Sequence, residues 1–251
     1  MGTLIAVNGL SKSFLDSERG EIRAVDDISF EVQAGEVFGL LGPNGAGKTT
    51  TLRMIATVLV PTTGTILLDG CDVVAEAQKV RSRLGFLSGT TSLYQRLNVE
   101  ETLAYFGRLA GMTESAIHSR SEELIASLGL GEYRKSHIRT LSTGFRQRVN
   151  IARTLIHDPP VVIFDEPTTG LDTLTSRTLV DYIRTLAGRG RTVLYSTHIM
   201  REAERICDRI AVIHHGRILL CSTLTEILAR TGTQHLDDAF FRLIGDERES
   251  A

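Results

Sequence analysis

Gly42-Pro43-Asn44-Gly45-Ala46-Gly47-Lys48-Thr49 fits the pattern G-x-x-x-x-G-K-[ST], and its flanks decide what the pattern means. Upstream, Val37 to Leu41 is an apolar run of strand length. Downstream, Leu52, Ile55, Ala56 and Leu59 recur at helical spacing and predict a helix over Lys48 to Leu59, closed by Pro61 and Gly64. A glycine-rich loop between a buried strand and a helix N-terminus is a cradle for phosphate. Glycines at 42, 45 and 47 allow positive φ and let backbone N–H groups approach phosphate oxygens, while the helix dipole adds partial positive charge. Lys48 supplies a formal charge for the β- and γ-phosphates, and the Thr49 hydroxyl is a ligand for Mg²⁺. Pro43, Asn44, Ala46 and Thr50 complete the expected nucleotide contacts. Taken alone, the cradle serves ATPases, GTPases and small-molecule kinases alike.

A second apolar run, Val161-Val162-Ile163-Phe164, ends in Asp165-Glu166. A parallel sheet would bring these carboxylates to the same edge as the loop. There Asp165 holds Mg²⁺, through water, and Glu166 is the base or orienter for an attacking water. Val193-Leu194-Tyr195 leads in the same way into Ser196-Thr197-His198, so His198 emerges at that edge within reach of a γ-phosphate. A lone histidine after a strand is ordinarily a surface or capping residue; its company here gives it the catalytic reading, beside Glu166 and Lys48.

The rest of the chain narrows the class. Its 251 residues are 42% hydrophobic, enough to bury a sizeable core in one unit. Lys plus Arg number 28 against 30 Asp plus Glu, a balance without the excess positive charge of nucleic-acid binders, so no nucleic-acid partner is expected. Apolar runs stay far below the roughly 18 residues of a membrane span, and Met1 to Ile5 does not read as a secretory signal. A cytosolic protein is expected. Cys71, Cys207 and Cys221 lack metal-type spacing and read as reduced core thiols, and His214-His215 before Gly216 reads as a hairpin turn.

The organisation is α/β. Ile28 to Val32 and its neighbours in the first 35 residues suggest a small antiparallel sheet. Val99 to Asp158 is almost wholly helical, with Leu103, Phe106 and Leu109 on one face and Leu124, Ile125 and Leu128 on another. After Pro159-Pro160 strand and helix alternate, which argues for a largely parallel sheet covered on both faces. Thr223 to Ala251 reads as short surface helices with a charged end, Asp246 to Arg248. No linker divides the chain, so the helical lobe is an insertion.

Leu141-Ser142-Thr143-Gly144-Phe145-Arg146-Gln147-Arg148 names a family. It resembles the signature of ABC ATP-binding subunits, and the order of motifs matches theirs over nearly the full chain: loop, helical insert, signature, acidic strand, Gly170-Leu171-Asp172, His198. The resemblance implies a P-loop NTPase (RecA-like) core over 1–88 and 159–222 with an N-terminal antiparallel β subdomain, an α-helical subdomain over 89–158, and a helical tail over 223–251. It implies an ATPase using ATP and Mg²⁺, at the cytoplasmic face of the cell membrane as a peripheral subunit. It also implies two partners, a separate transmembrane permease and a second ATP-binding subunit, taken as an identical copy. In that pair Ser142, Gly144 and Asp172 would contact ATP held by the opposite subunit. Phe14 resembles the adenine-stacking aromatic, its alternative being an ordinary sheet residue.

Two departures stand out. Thr143 and Phe145 replace a glycine and the glutamine of the common signature. Gly89, in Leu84-Gly85-Phe86-Leu87-Ser88-Gly89, stands where the family has a glutamine that reaches Mg²⁺ and the membrane partner. The stretch Arg83 to Tyr94, and His157-Asp158-Pro159-Pro160, are similar to sodium-extrusion members of the ABC-2 export class, which implies export and Na⁺ as cargo, although nothing in these residues binds Na⁺. The segment from Ser88 to Leu97 is then the expected contact with the membrane subunit, and water completes the Mg²⁺ shell beside Gly89. Two other classes compete. ABC ATPases of ribosomes or DNA repair carry paired domains, coiled coils or zinc cysteines. A small-molecule kinase has no use for Ser142 or Asp172.

Overall fold

The computed structural model describes residues 2–18, 20–89 and 92–249. Strands β1 (Thr3–Asp16), β2 (Gly20–Gln33) and β3 (Val37–Leu41) precede helix α1 (Lys48–Ile55). Then come β4 (Thr63–Leu68), β5 (Cys71–Asp72), α2 (Ala77–Ser82) and β6 (Leu84–Leu87). The helical segment holds α3 (Val99–Leu109), α4 (Glu114–Ser127) and α5 (Thr143–Leu155). Strand β7 (Val161–Asp165), α6 (Thr173–Gly188), β8 (Thr192–Thr197), α7 (Met200–Ile206), β9 (Arg209–His214) and β10 (Arg217–Thr223) follow, and α8 (Leu224–Thr231) and α9 (Leu236–Glu249) end the chain.

Among the described residues the strands form two sheets. The antiparallel one has the order β2-β1-β4-β5, and the larger one β10-β9-β3-β8-β7-β6, with β9 through β6 parallel and β10 antiparallel at its edge. Every residue of β3, β7 and β8 is buried, as strands covered on both faces must be, which is why they read as unbroken apolar runs. Register then sets the site. Leu41 pairs with Thr197 and Asp165 with Ser196, so the C-terminal ends of β3, β8 and β7 stand side by side.

Among the described residues three apolar clusters hold the layers together. One packs the antiparallel sheet and α1 on one face of the large sheet, through Ile5, Val32, Leu52 and Ile163. On the other face Leu103, Leu124 and Val149 of the helical segment share a single cluster with Phe164, Ile183 and Tyr195, so the inserted segment is continuous with the sheet core. The third joins Leu41 and Val212 to Ile227, Leu236 and Phe240.

Several expectations change. Helix α1 stops at Ile55 because Thr57 takes a left-handed φ of 60°, an unusual conformation for a β-branched residue. Pro61 and Gly64 come after the helix has ended. β4 and β5 were not foreseen. The tail is more than surface: Ile227, Leu236 and Ala239 are fully buried; the side chains of Asp246 to Arg248 lie outside the described residues, as do Thr90 and Thr91 of the expected membrane-contact stretch. The three cysteines are free and only partly buried, each packed beside a core. The hairpin is confirmed with its turn at His215-Gly216, at φ 45° and 79°, the pair of positive angles that a two-residue I′ turn requires.

Candidate functional site

The loop after β3 is shaped by sterics at two glycines. Gly47 has a φ of 105°, and a Cβ there would lie 2.5 Å from the Ala24 carbonyl. Gly42 departs from expectation. It is absent from the positive-φ residues, and what excludes a side chain is the Ile213 carbonyl, 2.2 Å from where a Cβ would stand. Ala24 reaches the loop because it is the extra residue of a bulge between the pairs Lys12–Val25 and Ser13–Arg23. With Asn44, Gly45, Gly47 to Thr50 and Glu166 it lines a cavity of about 360 Å³ over the loop.

Lys48 is buried. Its Nζ donates to the carbonyls of Gly42 and Pro43 at 2.7 and 2.9 Å and lies 3.1 Å from Glu166 Oε1. Beside it, the Thr49 hydroxyl donates to Asp165 Oδ1 at 3.1 Å, which also accepts from the Ser196 hydroxyl at 2.6 Å. A hydroxyl and a carboxylate this close form an all-oxygen donor pair suited to Mg²⁺. No group of three or more His, Cys, Asp or Glu side chains gathers around a metal position among the described residues.

Glu166 carries the strain of the site. Its φ is 48°, a conformation that costs roughly 1–3 kcal/mol in a non-glycine residue. The surroundings hold it: its N–H donates to the Ser196 carbonyl at 3.2 Å and reaches the Ser196 hydroxyl at 3.1 Å. Oε2 lies 3.2 Å from His198 Nδ1 and accepts from the Thr169 hydroxyl at 3.3 Å. Burial pushes its pKa up, but Lys48 first and His198 second outweigh burial and leave the carboxyl below its ordinary value. The carboxylate is thus ionised and fixed between two nitrogen donors.

The other predicted residues form a separate group. Ser142 caps α5 by accepting from the Phe145 N–H at 3.3 Å. Asp172 caps α6, accepting from the N–H groups of Leu174 and Thr175 and from the Thr175 hydroxyl at 2.6 Å. Thr175 also joins this group to the signature turn, since a Cβ on Gly144 would stand 2.9 Å from its Cγ2. None of Ser142, Gly144 and Asp172 lines the cavity over the chain's own loop. Phe14 sits opposite Ile22, next to the bulge, with its ring 40% exposed and Lys12 Nζ 5.3 Å from the ring centroid. It too lies outside the residues lining that cavity.

A family model described as ABC transporter matches residues 25–169. The ABC transporter ATP-binding protein NatA of Bacillus subtilis is 41% identical over 94% of this chain and 96% of its own length. The chain belongs to the ABC transporter ATP-binding subunits. Nod factor export ATP-binding protein I of Ralstonia nicotianae is 42% identical over 85% of this chain and 65% of its own length. A solved ATP-binding cassette, a dimer in a post-hydrolysis state bound to ADP and Pi, matches with a TM-score of 0.79 at 25% identity, over 88% of this chain and 98% of that one.

As an ABC ATP-binding subunit the chain binds and hydrolyses ATP, and its phosphate loop, acidic strand end and His198 stand together at one sheet edge. No described helix is long and apolar enough to cross a membrane. Sequence reading passed over two residues of the ABC subunit's site. In the sequence Ser196 is only a neighbour of His198, yet it grips both Asp165 and the Glu166 backbone; its pairing with Asp165 becomes visible only once β7 and β8 are in register. Thr175 carried no motif signal at all. At the departure from the common pattern, Gly89 has room: a Cβ there would lie 3.7 Å from the Asp165 carbonyl, an ordinary contact.

Proposed function

We propose that this ABC subunit powers an exporter, working as one of two copies on the cytoplasmic face of the membrane with a separate transmembrane partner, and using Mg²⁺–ATP. The observation that carries the chemistry is the Glu166 carboxylate held between Lys48 Nζ at 3.1 Å and His198 Nδ1 at 3.2 Å, at the mouth of the phosphate loop. ATP enters over the loop, and Lys48 exchanges its contact with Glu166 for the β- and γ-phosphates. Glu166, released on that side and still oriented by His198 and Thr169, accepts a hydrogen bond from water and aligns or deprotonates it. His198 donates through Nδ1 to Glu166 Oε2. Thr49 and Asp165 would hold Mg²⁺, which would supply charge neutralisation on the phosphate oxygens.

The export reading is supported by the functions of relatives, Nod factor export among them, and Na⁺ as cargo by the sequence resemblance alone. Docking to the membrane partner is assigned to the segment from Ser88 to Leu97 together with a groove of about 870 Å³ lined by Phe86, Phe106, Leu109 and Met112, with Arg81 and Arg153 and no acidic residue among its described lining. Tyr94 and Tyr105, exposed and edge to face at 5.2 Å, add aromatic surface on the same lobe. Such a face suits an apolar partner segment. Two experiments test the proposal. Glu166→Gln is expected to keep ATP binding and lower turnover on the order of 100-fold; wild-type turnover overturns the base. Co-purification in mild detergent is expected to recover a membrane protein, and its loss on Phe106→Glu checks the groove.

A further inference from the structure

The left-handed backbone of Glu166 is held by bonds of two origins. Those from Ser196 come from the adjacent strand, and the bond from the Thr169 N–H to the Glu166 carbonyl, 3.3 Å, lies within the turn itself. The next residue is held from a distance: the side-chain amide nitrogen of Gln147 donates to the carbonyl of Pro167 at 2.5 Å. Gln147 belongs to α5, the helix that Ser142 caps. The amide is oriented by Asn150 Nδ2, 3.5 Å from Gln147 Oε1, so the NH₂ group faces Pro167. Gln147 also lines, with Ser88, Gly89, Asp165 and Glu166, a cavity of about 260 Å³ at the carboxylate end of the site.

We infer that Gln147 is a positioning residue for Glu166, tying the orientation of that carboxylate to the placement of the signature helix. The inference rests on the reading of Glu166 as the group that activates water. Five residues separate Ser142 from Gln147, about 7.5 Å along a helix, so a displacement of the signature turn reaches the Pro167 carbonyl through a rigid rod. A glutamine amide suits this task because it is neutral and donates to a carbonyl without perturbing the charge balance among Lys48, Glu166 and His198. Glutamate here would set an acceptor against an acceptor, and methionine would fill the space with no donor.

The test is a double-mutant cycle on the full-length subunit, with kcat, KM and equilibrium ATP binding measured for Gln147→Met, Glu166→Gln and the pair, and Gln147→Asn as the variant that keeps a neutral amide donor. Gln147→Met is expected to lower kcat roughly 10-fold or more, with ATP affinity and melting temperature near wild type, and Gln147→Asn to recover part of the loss. In the Glu166→Gln background, Gln147→Met should lower the residual turnover no further, since it acts through the carboxylate already removed. Losses that multiply, or wild-type kcat in Gln147→Met, overturn the role of Gln147 while leaving Glu166 in place. Wild-type turnover in Glu166→Gln alone overturns both.

Discussion

Lys48 Nζ stands 3.1 Å from Glu166 Oε1, so the cation of the phosphate loop and the carboxylate at the end of the acidic strand neutralise each other across the site. A triphosphate must therefore displace a carboxylate to reach the ammonium, so loss of the cation should weaken ATP binding and loss of the carboxylate charge should not. Lys48→Ala is expected to weaken ATP binding roughly 10- to 100-fold, the range of a lost charged hydrogen bond. Glu166→Gln should bind ATP as tightly as wild type or more so. Titration of both variants with a fluorescent ATP analogue decides; weaker binding in Glu166→Gln contradicts the competition.

The same pair predicts a pH dependence of stability. Folding lowers the Glu166 pKa, because Lys48 and His198 together outweigh burial. Its ionic contribution is then complete above the unfolded value, about 4.3, and disappears as the pH falls through the lower folded value. The melting-temperature gap between wild type and Glu166→Gln should be flat at neutral pH and close only below about pH 4. A gap that opens on acidification would reverse the sign and reject the assignment.

Association should depend on the second group of residues. Ser142 is exposed at the cap of α5, away from the chain's own loop cavity. With ATP, Glu166→Gln should elute as a dimer on sizing, and adding Ser142→Arg should return it to monomer while each monomer still binds nucleotide. A dimer that persists places the interface elsewhere.

Two glycines should respond differently to one methyl group. At Gly42 the added Cβ meets the Ile213 carbonyl at 2.2 Å, whereas at Gly89 its nearest neighbour is the Asp165 carbonyl at 3.7 Å. Gly42→Ala is expected to lose ATP binding and to lower the melting temperature. Gly89→Ala should fold normally and keep the ATPase activity of the isolated subunit within about a few-fold of wild type, since an ordinary contact carries little strain. Melting curves and phosphate release on the two variants are sufficient. Severe loss in Gly89→Ala would make that backbone part of the catalytic end.

What was legible in the sequence was contiguous. The loop, Asp165-Glu166 and Ser196-Thr197-His198 each sit directly after an apolar run, and parallel pairing brings run ends together whatever the details of the layers. Partners set by register or helix packing left no such trace. Ser196 gains its role from facing Asp165, Thr175 from lying against Gly144, and Gln147 from meeting the Pro167 carbonyl. The early stop of α1 was hidden because it depends on a left-handed threonine, a residue type that does not announce that conformation. In the tail the spacing Leu236, Ala239, Phe240, Leu243 and Ile244 was helical and apolar on one face, yet only the position of β9 and β3 reveals what that face covers.

The burial of Leu41 and Val212 beneath Ile227, Leu236 and Phe240 sets the terms for trimming or tagging the protein. Leu41 is the last residue before the phosphate loop, so a chain cut after Thr223 would bare the flank of the strand from which that loop springs. Such a fragment would keep every motif residue and still be a client for proteases and chaperones. An added affinity tag belongs beyond Glu249, where it leaves this flank covered.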